Sequence, residues 1–355
     1  VSASLYFHVP FCSKKCPYCH FYVIPNQLRY HALLKEGLSL EWEQQKGLLA
    51  GKELASIYFG GGTPTLFGAE NIAEVLSWTG LAPEITVEAN PEESTPELFA
   101  ALKSVGVNRI SLGVQSLDDR SLSALERTHS ASKARAAIFA AAEAGIENIS
   151  IDLMYDLPDQ TEASWLYTLD QLKDLPIQHL SLYNLTIEPH TSFHKRKVTQ
   201  PPPDQSLRFL HQAVETLQSL GFDRYEISAF AKPGRESRHN LGYWTYRPFL
   251  GFGPSAFSYW NGERFRNVAN LNRYTRMLKE GTSPIDFRET LPYPRNLQEQ
   301  LAIGLRLKEG VEYPDILRTP LQKLQEQGLV LLSGNRAQLT ERGKLFYDTV
   351  ASELV

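Results

Sequence analysis

Short runs rich in β-branched and aromatic residues recur along this chain with helix-length segments between them, and that rhythm excludes most folds. The runs cover residues 5–9, 55–59, 85–88, 109–113, 148–152, 179–184 and 224–228. Their starts lie about 25 to 50 residues apart, too far for hairpins and far enough for a crossover helix. The segments between them have helical character over residues 30–46, 70–78, 96–105, 131–144, 162–172 and 203–220. Thr95 is a candidate N-cap with Pro96 in the first turn, and Gly145 and Gly221 are candidate C-caps. The pattern predicts a parallel α/β architecture.

In parallel sheets, ligands collect beyond the carboxyl ends of the strands. The chemically distinctive residues fall there. Cys12, Cys16 and Cys19 follow the first run and are the only cysteines in the chain. Their CxxxCxxC spacing suits three thiolates of an iron-sulfur cubane, with one iron left open for a ligand. Two other readings stand beside it. A disulfide leaves one cysteine over, and residues 1–10 lack the charged and apolar regions of a secretory signal. Zinc needs a fourth ligand, for which His8 and His20 are candidates.

Gly60, Gly61, Gly62, Thr63 and Pro64 follow the second run, where glycine permits close backbone approach to a ligand. Glu88 ends the third run, Gln115 follows the fourth and Asp152 ends the fifth. Glu88 and Asp152 can receive an ammonium or ribose hydroxyls, Gln115 a polar edge, and the planar fork of Arg127 a carboxylate. An amino acid joined to a ribose satisfies all four. The structural alternative is that the two acids cap strands or pair with arginines.

Charge narrows the partners. With 36 basic and 40 acidic residues the net charge is −4, so no global positive field recruits nucleic acid. No apolar run reaches the length of a membrane span, and three reduced thiols suit a cytoplasmic setting. The expected division is a barrel over residues 1–228, a connecting region over 229–290 and a C-terminal unit over 291–355. In that last unit, helical patterning at 297–307 and 314–327 precedes a hairpin across 333–335 and a helix capped by Thr340, an order that resembles a winged helix.

Residues 6–12, the cysteine loop, Gly60 to Pro64, and the stretches 87–91, 113–116 and 151–154 together resemble the radical S-adenosylmethionine family, in its HemN/HemW branch. The resemblance covers nearly the whole chain. It implies a partial (β/α)6 barrel with a smaller C-terminal helical domain, and a [4Fe-4S] cluster on Cys12, Cys16 and Cys19. It also implies that S-adenosylmethionine chelates the open iron and is cleaved by one electron to methionine and a 5′-deoxyadenosyl radical. Tyr6, Gly62, Thr63, Glu88, Gln115, Arg127 and Asp152 match the positions that contact this cofactor, with Thr186 and Phe257 as further matches.

The branch implies one of two functions. One is a haem chaperone that binds haem and delivers it to acceptor proteins, through which alone it would meet a membrane. The other is an oxygen-independent coproporphyrinogen III oxidase acting on a porphyrinogen. The oxidase pattern has a cysteine where this chain has Phe21, and a substantial extension ahead of its cysteine loop, where eleven residues stand here. The chaperone pattern includes HNxxYW, matched from His239 to Trp244, with His239 as a haem ligand. His20 stands where that pattern usually has an acid.

Overall fold

The first six predicted runs form six neighbouring parallel strands in chain order: β1 (Ser2–Val9), β2 (Glu53–Gly61), β3 (Glu84–Ala89), β4 (Arg109–Gln115), β5 (Asn148–Tyr155) and β6 (His179–Asn184). The computed structural model describes residues 2–355. Crossover helices lie where expected, among them Leu28–Gln45, Ala69–Thr79, Pro96–Ser104 and Ala131–Glu143, and a further helix covers Pro203–Ser219. Thr95 caps the third of these by accepting from the Leu98 amide at 3.2 Å.

Period-two alternation along the strands separates two faces. Leu5, Phe7, Val9, Ile57, Phe59, Val87, Ile110, Leu112 and Ile151 join the core beneath the helices. The alternate residues are polar and meet across the strands: Ser4 beside Ser56, Tyr6 beside Tyr58, Glu88 beside Ser111, and Asp152 beside Ser181. The concave face of the sheet is therefore lined with hydrogen-bonding groups from end to end.

The region beyond residue 228 corrects the expected division. The seventh run does not continue the parallel series; β7 (Asp223–Arg224) and β8 (Ala229–Ala231) pair antiparallel to each other, and β8 pairs antiparallel to β6. Residues 229–290, the connecting region, contribute strands to the sheet. At the opposite edge β9 (Phe249–Phe252) lies parallel to β1, and β10 (Phe257–Trp260), β11 (Glu263–Asn267) and β12 (Ile285–Thr290) extend the sheet as an antiparallel meander. The sheet has twelve strands running from β12 to β7, an open partial barrel. Phe252 stacks on Phe7 at 5.0 Å as Phe59 does at 5.1 Å, so this region shares the main core.

Glu41 fastens that extension to the helix Leu28–Gln45. It is wholly buried and accepts hydrogen bonds from Tyr274 Oη, the Gly253 amide at 2.9 Å, Asn267 Nδ2 at 2.6 Å and Gln45 Nε2 at 2.9 Å. Burial nevertheless raises its pKa to about 7, the four donors only partly offsetting the desolvation. A carboxyl whose folded pKa exceeds its unfolded value binds more protons when folded, so its contribution falls as pH rises from about 4.5 to about 7. The buried imidazole of His8, lowered to about 4, acts in the opposite sense. The difference between wild type and Glu41→Gln isolates the carboxyl. Across pH 5 to 7, unfolding free energies from denaturant titration are expected to show a downward component on the order of 2 kcal/mol that the variant lacks. Parallel pH profiles for the two proteins would refute this.

Residues 291–355 gather around a second apolar cluster. Helices Arg295–Gly304, Arg318–Glu326 and Tyr347–Leu354 pack around Leu301, Leu321, Val330, Leu339 and Val350. Its small sheet of β13 (Val311–Glu312), β14 (Val330–Ser333) and β15 (Arg336–Leu339) is antiparallel, as in a winged helix, and Thr340 caps the following helix. Among the described residues no helix is long and apolar enough to cross a membrane.

Candidate functional site

The carboxyl ends of β1 to β6 surround a cavity of about 460 Å³. Cys12, Cys16 and Cys19 line one side of it, and Gly62, Glu88, Gln115, Arg127, Asp152 and Thr186 line the rest. The cysteine loop is held by backbone contacts that the glycine run makes possible. The Gly62 amide donates to Val9 at 2.9 Å and the Thr63 amide to Phe11 at 2.7 Å. A Cβ on Gly62 would lie 2.5 Å from the Phe11 carbonyl oxygen, so only glycine lets the two loops meet.

Side chains complete the anchoring. Thr63 is buried, with its hydroxyl 3.8 Å from Cys12 Sγ and accepting from Asn90 Nδ2 at 2.8 Å. Arg127 donates to Cys16 Sγ at 3.3 Å, to Asn90 Oδ1 at 2.7 Å and to the Gly113 carbonyl at 3.1 Å, and pairs with Glu92 at 3.4 Å. The Glu92 carboxyl is held down at about 2, burial being outweighed by His129 and Arg127. The Arg127 fork, expected from sequence to be free for a carboxylate, is thus largely committed to the loop. Its Nε is buried without a partner.

The acidic groups sit deeper. Glu88 accepts from Tyr58 Oη at 2.8 Å and from the Gly61 amide at 3.0 Å, and burial raises its pKa to about 7. Burial also raises Asp152 to about 6, against the hydroxyl of Ser181 and the positive charge of Arg109. Two carboxyls poised near neutrality at the floor of a cavity are ready to accept hydroxyl or ammonium donors. Gln115 ends β4 at φ +67°, a conformation sparsely used by residues other than glycine.

Burial pushes the Cys12 thiol up to about 11 and raises that of Cys19, so iron must displace protons on binding. Among the described residues no three His, Cys, Asp or Glu side chains converge on one point, as a single ion requires. A cubane places each thiolate on its own iron, and three thiols on one wall of the cavity suit it. His8 is unavailable to zinc. Tyr6 Oη donates to its Nδ1 at 3.0 Å and its Nε2 donates to the Tyr22 carbonyl at 3.1 Å.

Other expected residues fall outside the cavity wall. Tyr6 lies below it, stacked on Tyr58 with ring centroids 6.2 Å apart, and Thr63 acts through Cys12. Phe257 is 46% exposed on β10 and does not line the cavity. His239 requires the largest correction. It is 1% exposed near the amino ends of the strands, its Nδ1 2.9 Å from Ser56 Oγ and its Nε2 2.8 Å from Tyr243 Oη. Neither nitrogen is free for iron, and burial lowers its pKa to about 3. The HNxxYW segment is the helix Arg238–Trp244, whose first amides reach Glu84 at 2.9 Å. Its Trp244 ring lies under Arg306 of the C-terminal unit, 4.3 Å from the centroid. The motif closes the amino end of the barrel and joins two units.

Asn90, Tyr58 and Ser111 also belong to the site. Asn90 lies two residues beyond Glu88, on the same face of an extended chain, and that spacing was the available signal.

A sequence model described as "Radical SAM superfamily" matches residues 6–172. The "Heme chaperone HemW" of Bacillus subtilis is 33% identical over 98% of this chain and 97% of its own length. That of Escherichia coli is 32% identical over 98% and 96%, and that of Mycobacterium tuberculosis strain H37Rv 34% identical over 99% and 94%. The solved coproporphyrinogen III oxidase HemN of Escherichia coli superposes with a TM-score of 0.86 at 24% identity, covering 99% of this chain and 90% of that one, a likeness of fold. With identity above three in ten along its whole length, the chain belongs to the radical SAM superfamily and, within it, to the HemW family.

Proposed function

We propose that this protein binds haem and hands it to acceptor proteins, working as a radical-SAM-type haem chaperone in the reducing cytoplasm. What carries the reading is the similarity to proteins named heme chaperone HemW along almost their entire length. Phe21 supports it, standing exposed at the cavity where the oxidase pattern has a further cysteine.

The site fits the two groups that radical SAM proteins take. Cys12, Cys16 and Cys19 would hold a [4Fe-4S] cluster, and the unpartnered Arg127 Nε, Gln115, Glu88 and Asp152 would receive S-adenosylmethionine. When bound, the cluster supplies one-electron reducing power at the sulfonium. The chain's own part is positional. Gly62 and Thr63 hold the first cysteine against the barrel, Arg127 holds the second, and the buried carboxyls orient the nucleoside end away from bulk water.

The test is a pair of anaerobic assays on reconstituted protein. Expected results are stoichiometric haem binding with transfer to an apo-haemoprotein, and no conversion of coproporphyrinogen III. Release of carbon dioxide from the propionates of coproporphyrinogen III would replace this reading with the oxidase.

A further inference from the structure

We propose that the haem of this reading lies in a second cavity on the outer side of the cysteine loop, with His20 and His190 as iron ligands and Lys15 and Arg196 facing the propionates. The inference rests on the haem-chaperone reading and names its binding site, which His239 does not supply.

The cavity measures about 520 Å³, and Lys15, His20, His190 and Arg196 all line it. An axial ligand needs an imidazole nitrogen with no prior partner. The buried histidines His8, His129, His179 and His239 all have hydrogen bonds on both ring nitrogens. His20 and His190 are exposed and, among the described residues, neither ring has a hydrogen-bond partner. They are brought to one cavity from positions far apart in the chain, one after the third cysteine and the other after β6. His190 holds φ at +69°, a conformation that costs energy in a residue with a Cβ.

Charge points to the same class of ligand, a metalloporphyrin with two carboxylates. In a chain of net charge −4, the rim carries a local positive surplus. Its one acid, Glu126, is shared by Lys14 at 3.6 Å and by Arg196, while Lys15 meets only the Phe21 carbonyl, at 3.2 Å. Lys195 and Lys197 stand exposed beside it. Pro189 gives exposed apolar contact surface, and Phe21 is 55% exposed beside the His20 ring, 4.7 Å centroid to centroid. A porphyrin face covers such surface favourably.

The two cavities share Lys15, Cys16, Cys19 and His20 as a common wall. Cluster loading, which fixes that wall from the inside, is therefore expected to shape the haem site on the outside. Haem affinity should be higher in the cluster-loaded protein than in the cluster-free one.

The experiment uses the full chain, reconstituted anaerobically, with cluster content measured in every variant. Ferric haem is titrated and followed by the Soret band and by electron paramagnetic resonance. Wild type is expected to give a low-spin signal that His20→Ala/His190→Ala loses, with affinity down about tenfold or more. Lys15→Gln/Arg196→Gln should weaken haem by a similar factor while leaving haem dimethyl ester unaffected. If the double histidine variant fails to take up its cluster, His190→Ala alone decides. Unchanged affinity and spin state in the histidine variants, with haem still bound by wild type, would overturn this site and leave the chaperone reading standing. No haem binding by wild type would overturn both.

Discussion

Alanine at any one of Cys12, Cys16 or Cys19 is expected to reduce bound iron from about four atoms per chain to near none after anaerobic reconstitution. The chain has no fourth cysteine to substitute, and His8, the nearest buried imidazole in sequence, has both nitrogens engaged. Each thiol also has its own anchoring. Cys12 lies against Thr63, Cys16 accepts from Arg127, and the Cys19 amide donates to the Cys16 carbonyl at 3.1 Å. Losing one thiolate leaves an iron exposed and the remaining anchors holding an incomplete cradle. Iron and sulfide assays, with the absorbance of the reconstituted protein, provide the measurement. A full complement of iron and sulfide in Cys16→Ala, or zinc in place of iron in wild type, would sink the assignment.

Gly62→Val is expected to disable the site more broadly than a cofactor-contact variant would. From sequence, the bulk of valine would be expected to weaken S-adenosylmethionine binding and leave the cysteine loop intact. The structure puts the new Cβ 2.5 Å from the Phe11 carbonyl oxygen and 2.9 Å from the Pro10 carbonyl carbon, so the cysteine loop itself must move. Both partners are backbone atoms in a paired segment, which cannot swing aside as a side chain can. The expected outcome is loss of cluster and of S-adenosylmethionine binding together, with a stability cost of roughly 1–3 kcal/mol from overpacking. Asp152→Asn is the counterpart. It should keep its cluster and lose affinity for S-adenosylmethionine, since Asp152 touches the cavity and not the loop. Calorimetry and iron content on both variants separate the two roles. A Gly62→Val protein with full cluster and wild-type melting temperature would mean that the loop can yield.

The site was legible wherever chemistry was carried by residue type at short spacing. Three cysteines in eight residues, a glycine run and acids at strand ends announce themselves without coordinates, and the structure brings Gly62, Glu88, Gln115, Arg127 and Asp152 to one cavity with the thiols. Roles were less legible than membership. Arg127 reads as a carboxylate fork, yet folding spends most of its donors on Cys16, Asn90 and Gly113. Tyr6 and Thr63 read as ligand contacts, yet they act one layer behind the wall.

His239 shows why a motif and its job can part. The histidine, asparagine and aromatics within six residues look like a haem environment in one dimension. In three, a single turn of helix sets Tyr243 Oη on the His239 ring, and β2 supplies Ser56 to the other nitrogen from 183 positions away. His20 and His190 reverse the case, lying 170 residues apart in sequence and lining one cavity.

What the sequence determined by itself was the parallel series of six strands, because strand spacing and helix caps are local properties, and thiol spacing, equally local, set three cysteines on one loop. Only the tertiary structure decided that residues 229–290 belong to the barrel sheet and that the HNxxYW segment seals its amino end. It alone decided which polar groups remain free for a ligand. Those outcomes depend on partners distant in the chain: β9 joins β1 across more than two hundred residues, and a buried donor or acceptor is available for chemistry only when no such partner has already satisfied it.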